Sequence, residues 1–202
     1  MLDAKDQNVD QNDLYLQRLM KEIQIQLGQD NPAALRRLYD EFGNQLLQFA
    51  FTILPIRQVA EEIVGDVFIK VWLKRKKVAG LENFKMYLYI SIRNRAYSYL
   101  RRYNKTRHVS LEELTLPCYQ LAITPEELMV SKETLQALQN AINDLPPQCR
   151  LIFKLVKEDG LKYREVAELL QLSAKTVENQ MGIALKKIHA EIAGQIPSFL
   201  YK

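Results

Sequence analysis

Four polar residues crowd into one short stretch near the end of the chain: Lys175, Glu178, Asn179 and Gln180. Asparagine and glutamine amides match the hydrogen-bonding edge of adenine, and a glutamate can accept from the amino group of cytosine. On the first turns of a helix that enters the major groove, such side chains read the sequence of duplex DNA. The stretch is therefore a candidate base-reading surface.

The apolar pattern around these residues predicts a helix-turn-helix. Val166, Ala167 and Leu170 form a compact apolar stripe on the first helix, Leu172 fills the turn, and Ser173 can cap the second helix. Residues at three- and four-residue spacing are predicted to face inward on the second helix, namely Val177, Met181, Ala184, Leu185 and Ile188. The four polar residues then point outward. An ordinary helical hairpin is the alternative interpretation.

A second candidate surface lies on a long helix predicted from about Asn83 to Tyr103. Residues 66–105 hold eleven Lys and Arg against two acids. This excess of positive charge suits binding to a polyanion, although a charged face that only contacts solvent is common. Spacing of 3.6 residues per turn separates two faces. The predicted core face holds Leu88, Ile92, Ala96, Tyr99 and Tyr103; the outer face holds Tyr87, Asn94, Tyr97, Ser98 and Arg101, flanked by Arg93, Arg95 and Arg102. Aromatic, amide and guanidinium groups together suit unstacked bases and phosphates; the alternative is that the tyrosines only cover hydrophobic surface.

Other classes of protein find little support in the sequence. The only cysteines, Cys118 and Cys149, and the only histidines, His108 and His189, lack metal-ligand spacing, so no metal or cofactor is expected. We see no phosphate-binding glycine loop, catalytic triad or carboxylate cluster, which argues against an enzyme or a small-molecule substrate. The start lacks a signal-peptide profile and no apolar run approaches the ~20 residues of a membrane span. A cytoplasmic protein without membrane insertion is therefore expected.

Nearly every segment has helical periodicity, so the predicted fold is all-α, with two small helical domains joined by a flexible linker. The chain has only seven glycines and seven prolines, and the prolines lie at the ends of the periodic stretches or between them. Periodicity fails between Asn104 and Thr124, where we place the linker, and a capping box at Thr124 to Glu127 begins the next helix. Before the helix-turn-helix, helices are predicted at residues 13–26, 31–55, 58–72, 83–103, 125–145 and 148–158.

Three segments, in this order, resemble those of bacterial sigma-70 family members of the extracytoplasmic-function group (group IV). Residues 59–72 are similar to the family's polymerase-binding helix, residues 84–102 to its promoter-melting and −10-reading helix, and residues 145–188 to its −35-reading domain. The overall character resembles the Bacteroidetes and iron-uptake surface-signalling branch. The resemblance implies an N-terminal helical extension (1–30), a region 2-like domain (31–103), a linker (104–123), a region 4-like helix-turn-helix domain (124–190) and a C-terminal tail (191–202).

The resemblance also implies roles for individual residues. Those expected at −10 DNA are Tyr87, Arg93, Asn94, Tyr97, Ser98, Arg101 and Arg102, with Asn94 at a flipped-out base whose pocket includes residues 81–84. Those expected at −35 DNA are Arg150, Tyr163, Lys175, Thr176, Glu178, Asn179 and Gln180. Those expected to bind core polymerase are Glu62, Asp66 and Lys70. Three positions depart from the family pattern. Gly65 stands where the family usually has Gln, and Ser98 stands where it frequently has Asp. Glu178 is acidic where relatives often have a basic residue.

The function that this resemblance implies is that of a sigma factor, which binds core RNA polymerase and directs promoter-specific initiation. Its expected partners are core RNA polymerase, promoter DNA and an anti-sigma factor. Two alternatives stay open from the sequence. One is a helix-turn-helix transcriptional regulator that acts without sigma activity, and the other is a protein-binding module such as an anti-sigma decoy.

Overall fold

The computed structural model describes residues 3–54, 56–106 and 132–193, and the chain divides into two compact units, Met1–Leu114 and Thr115–Lys202. In the first unit lie α1 (Asp3–Gly28), α2 (Pro32–Ile53), α3 (Arg57–Leu73), α4 (Arg75–Val78) and α5 (Phe84–Thr106). In the second lie α6 (Lys132–Asn143), α7 (Pro147–Lys157), α8 (Tyr163–Leu170) and α9 (Ala174–Ala193). Among the described residues there is no strand, and the all-α prediction is confirmed.

Several predictions fall wholly or largely outside the described residues. They are the linker beyond Thr106, the capping box at Thr124 and the tail from residue 194 on. The domain boundaries stay predictions. Two differences concern helices: α1 begins at Asp3 rather than near Asp13, and α4 was missed. The acidic start of α1 lacks an apolar repeat, and four residues of α4 are too few to show one.

Helix α2 lies at the centre of the first unit and packs against α1, α3 and α5. Its start is set by Asn31, whose Oδ1 accepts a hydrogen bond from the backbone N–H of Ala33 at 3.0 Å, and by Pro32 in the first turn. Leu38 and Leu46 are buried, and the ring of Phe49 meets that of Tyr89 on α5 with centroids 5.1 Å apart. Burial of each such side chain stabilises the unit by about 1.5–3 kcal/mol, and this core fixes how α3 and α5 present their outer faces.

Helix α9 is the centre of the second unit, with α6, α7 and α8 packed against it. Val177, Met181, Ala184 and Ile188 form its buried stripe, as predicted. The prediction that Leu185 also faces inward is wrong, because 46% of that residue is exposed. Its position lies to one side of the stripe, so that its side chain is only partly covered.

Candidate nucleic-acid interface

The helix-turn-helix consists of α8, a short turn and α9. Gln171 ends α8 in the left-handed conformation, with φ of 57°, and so redirects the chain. Ser173 precedes α9 and caps it: its Oγ accepts from the backbone N–H of Thr176 at 2.9 Å, and the hydroxyl oxygens of Ser173 and Thr176 are 2.8 Å apart. The predicted cap is confirmed, and Thr176 is held within this cap at the tip of the helix.

Three of the polar residues predicted on the outer face of α9 are exposed there. Lys175 and Glu178 pair with each other, with Nζ and Oε2 2.9 Å apart. The Glu178 carboxylate therefore neutralises the charge of Lys175, and it can also accept a hydrogen bond from DNA. Asn179 lies beside them with its amide exposed. It is the best-placed residue of this face for reading a base edge.

Gln180 does not point freely outward, contrary to the prediction. It is half-buried, and its Oε1 accepts a hydrogen bond from Sγ of Cys149 on α7 at 2.7 Å. The reason is its position on α9, three residues after Val177 and four before Ala184, both fully buried. Burial raises the pKa of the Cys149 thiol, so that the thiol stays protonated and acts as the donor.

Arg150 and Tyr163, the two residues expected to contact the DNA backbone of the −35 element, have different environments. Arg150 is half-buried, and its Nη1 donates to the backbone oxygen of Asn143 at 2.9 Å, joining α7 to the end of α6. Tyr163 is 38% exposed at the first position of α8. Tyr163 is thus open to a phosphate, whereas Arg150 already supports the packing of the second unit.

The outer face of α5 is a connected polar surface. Asn94 and Arg101 are exposed, and Tyr97 is 45% exposed. The hydroxyl of Ser98 donates to the backbone oxygen of Asn94 at 2.7 Å and accepts from Nη2 of Arg101 at 3.2 Å. Ser98 therefore holds the Arg101 guanidinium against this face of α5, a role that needs only a hydroxyl.

The remaining predicted −10 residues border this face. Arg93 Nη2 donates to Oδ1 of Asn94 at 3.2 Å, and Arg102 Nε donates to the backbone oxygen of Ser98 at 3.4 Å. Tyr87 is half-buried one turn into α5. Tyr99 and Tyr103, expected in the core, are only half-buried and stack on each other with ring centroids 6.0 Å apart. They cover the edge of the helix rather than fill the core.

The outer face of α3 contains the three residues predicted to bind polymerase and two that were missed. Glu62 is exposed, and Asp66 and Lys70 are half-buried. Ile69 and Leu73 share this face and are 58% and 72% exposed. The sequence held a signal for them, since α3 has apolar residues around its whole circumference whereas only Ile63, Val67 and their neighbours enter the core.

An ion pair between Asp66 on α3 and Arg95 on α5 connects the two surfaces of the first unit. Beside it runs a groove of about 600 Å³. Glu62 and Asp66 form its acidic wall, and Arg95 and Arg102 form its basic wall. The predicted polymerase-binding and −10 residues therefore adjoin one another along this groove, with opposite charges facing each other.

Comparison with known families matches both units. Residues 38–106 match Sigma-70 region 2, and residues 135–188 match Sigma-70, region 4. The chain belongs to the sigma-70 family. This sigma factor carries its exposed α5 face within the region 2 match, and both helices of its helix-turn-helix begin within the region 4 match.

Relatives of this sigma factor belong to the extracytoplasmic-function group. The ferric citrate uptake sigma factor FecI of Escherichia coli (strain K12) is 30% identical over 127 residues, covering 63% of this chain and 72% of FecI. The ECF RNA polymerase sigma factor SigW of Bacillus subtilis (strain 168) is 22% identical over 173 residues, covering 82% of this chain and 92% of SigW. The group assignment from sequence is confirmed, and the Bacteroidetes branch stays a prediction.

The fold is shared with a solved sigma factor. RpoE from Bartonella quintana, solved in complex with the anti-sigma factor NepR, matches with a TM-score of 0.52 and 20% identity, over 78% of this chain and 96% of that one. Within the described part of the chain, none of the helices combines the length and the apolar character needed to cross a bilayer.

Proposed function

We propose that this sigma factor binds core RNA polymerase and directs promoter-specific initiation by reading two DNA elements in two different states. One observation carries the proposal: the two units present nucleic-acid surfaces of different chemistry. The face of α5 combines an amide, a tyrosine ring and guanidinium groups, which suit unpaired bases. The face of α9 presents Asn179 in the second turn of the second helix of the helix-turn-helix, which suits the major groove of a duplex.

At the −10 element, the α5 face would hold bases that have left the stack. Flipping a base costs a few kcal/mol, which a pocket and aromatic stacking can offset. Asn94 would contact one such base, with Tyr97 beside it and Arg101 at the phosphates. Phe84 and Asn94 lie ten positions apart on α5, which corresponds to about 15 Å of helix. We therefore assign Asn94 and the loop of residues 81–84 to different nucleotides of one strand, in place of the single pocket predicted from the sequence.

At the −35 element, we assign base reading chiefly to Asn179, with Glu178 as the acceptor for a cytosine amino group. Lys175 and Tyr163 would contact the phosphate backbone of the DNA. Gln180 contributes to the position of α9 through Cys149 rather than to base reading. Glu178 is acidic at a position where relatives often have a basic residue. The −35 sequence of a relative therefore does not transfer to this protein.

Core polymerase would bind the outer face of α3, with Ile69 and Leu73 as the apolar centre and Glu62, Asp66 and Lys70 around them. Exposed apolar residues rimmed by charge are typical of a protein-binding surface. Nucleotidyl transfer belongs to the polymerase, so this chain performs no bond chemistry, and its place of action is the cytoplasm. An anti-sigma factor, as seen with RpoE, is the expected partner that restrains it.

Reconstituted transcription tests the proposal: core polymerase, this chain and genomic DNA are combined, and transcript starts are mapped. Promoter-specific starts that depend on the chain are expected. If the chain binds duplex DNA by itself but gives no specific starts with core polymerase, the helix-turn-helix regulator replaces the sigma factor as the interpretation. Loss of starts on substitution of Asn94 and Arg101, but not of Lys21 on α1, excludes the protein-binding module.

A further inference from the structure

Gln24 on α1 is buried, with 2% exposure, in a unit whose other buried residues are almost all apolar. Its side-chain Nε2 donates one hydrogen bond to the backbone oxygen of Val78 and another to that of Leu81, each at 2.7 Å. An amide nitrogen has two N–H groups, so both are used. The two acceptors are more than fifty residues away in the sequence.

The two carbonyls belong to one turn between α4 and α5. The backbone N–H of Leu81 donates to the oxygen of Val78 at 3.1 Å, which closes the turn, and Gln24 joins the oxygens at its two ends. Two residues on, Asn83 accepts from the backbone N–H of Met86 at 2.9 Å and so caps α5. The loop is therefore fixed on one side by α5 and on the other by a single buried amide.

The end of α1 is brought close to this turn by further contacts. A Cβ added to Gly28 would lie 2.6 Å from Cβ of Ala79, so only glycine permits this approach. Asp30 pairs with Arg75 and Lys76, and Nζ of Lys76 also donates to the backbone oxygen of Gly28 at 2.9 Å. Contacts other than those of Gln24 thus set the spacing between α1 and α4, whereas the two bonds of the amide act on the turn of residues 78–81 itself.

We infer that Gln24 is a positioning residue for promoter recognition: it holds the loop of residues 81–84 in the conformation that selects a −10 base. This inference rests on the proposed function, in which that loop contacts the melted strand. Gln24 itself is too buried to touch DNA. Its effect reaches the DNA only through the two backbone carbonyls that it holds.

The test compares Gln24→Met with wild type in transcription by the reconstituted holoenzyme. Methionine keeps the length and apolar bulk of the side chain and removes both donors. Two ratios are measured. The −10 ratio divides the transcripts from a mapped promoter by those from the same promoter with one −10 base substituted, and the −35 ratio does the same for one substituted −35 base. Ile23→Val is the matched control, because Ile23 is fully buried on the same helix and this change loosens the core while keeping both hydrogen bonds of Gln24.

For Gln24→Met we expect the −10 ratio to fall at least about tenfold while the −35 ratio stays within about twofold of wild type. Ile23→Val should leave both ratios unchanged. The inference is overturned if folded Gln24→Met keeps the −10 ratio, or if both variants lose it equally. Should Gln24→Met not fold, Gln24→Asn, whose shorter amide cannot reach both carbonyls, is judged by the same ratios. A wild-type chain that initiates nowhere overturns the proposed function itself, an outcome distinct from these.

Discussion

The thiol of Cys149 donates a hydrogen bond to the side-chain oxygen of Gln180, with Sγ and Oε1 2.7 Å apart. This contact joins α7 to the helix that would enter the major groove. It also engages one of the two amide side chains that the sequence offers for base reading. Asn179 and Gln180 are therefore adjacent residues of the same chemical class in different environments, and we assign them different roles.

Alanine substitution of these two neighbours should separate the roles. Asn179→Ala removes an exposed amide and should reduce discrimination among −35 bases by about 10- to 100-fold, the range for one good side-chain–base pair. Gln180→Ala should change that discrimination less than about threefold, and should instead lower the free energy of unfolding by about 0.5–1.5 kcal/mol, the net worth of one hydrogen bond. Transcription from promoters with single −35 changes and urea unfolding measure the two effects. A greater loss of discrimination for Gln180→Ala would contradict the assignment.

Asn94 and Asn179 should affect different steps of initiation. Asn179→Ala should relax −35 preference and spare opening on a template that is already unpaired at −10. Asn94→Ala should reduce use of that premelted template, about tenfold or more, and keep the −35 preference. Open-complex formation on premelted and duplex templates gives both values. Equal defects of the two variants on the premelted template would refute a division of labour between the units.

Two glycines of the first unit should respond to alanine with opposite signs. A Cβ at Gly65 meets nothing within 4 Å, so Gly65→Ala should stabilise α3 by about 1 kcal/mol through helix propensity alone. A Cβ at Gly28 would lie 2.6 Å from that of Ala79, so Gly28→Ala should destabilise by about 1–3 kcal/mol. Denaturant unfolding measures both. A stabilising Gly28→Ala would show that α1 can move away from α4 at little cost.

Leu73→Asp should weaken binding to core polymerase without unfolding the protein. Leu73 is 72% exposed on the outer face of α3, so the change should alter stability by less than about 0.5 kcal/mol. At the centre of an interface, a buried charge of this kind should cost at least about tenfold in affinity. Ile25→Asp is the control, since Ile25 is 50% exposed on α1. Equal affinity of both variants for core polymerase would place the interface elsewhere.

Asp30 should make stability depend on pH at the acid end. Hydrogen bonds from Lys76 and then Arg75 hold the pKa of its carboxyl below the usual 3.8. The unfolded chain therefore takes up this proton first, and the contribution of Asp30 is fully present above pH 3.8 and is lost as the pH falls through the lowered pKa. Asp30→Asn should lower the melting temperature at pH 7, with a difference that shrinks at about pH 3. Asparagine tolerates the φ of 61° at this site, so a pH-independent difference would assign the effect to packing instead.

Much of the fold followed from local patterns. Helical periodicity placed most of the helices, and Ser173 was predicted as the cap of α9 because capping involves only residues three apart. The exposed side of α5 was predicted correctly for Asn94, Tyr97 and Arg101, since a helix of known phase has only one core side. Leu185 and Gln180 were misplaced because they lie at the two edges of the buried stripe, where the width of the neighbouring helices decides burial.

The sequence by itself determined that the chain is helical, that it carries a helix-turn-helix and a basic aromatic helix, and that both resemble promoter-reading segments. These properties depend on the order of residue types within one or two turns. Only the tertiary structure decided that Gln24 holds the turn of residues 78–81, that Asp66 pairs with Arg95, and that Ile69 and Leu73 stay exposed. Each of these depends on which helix packs against which, and contacts between residues tens of positions apart are set by the shape of the whole core.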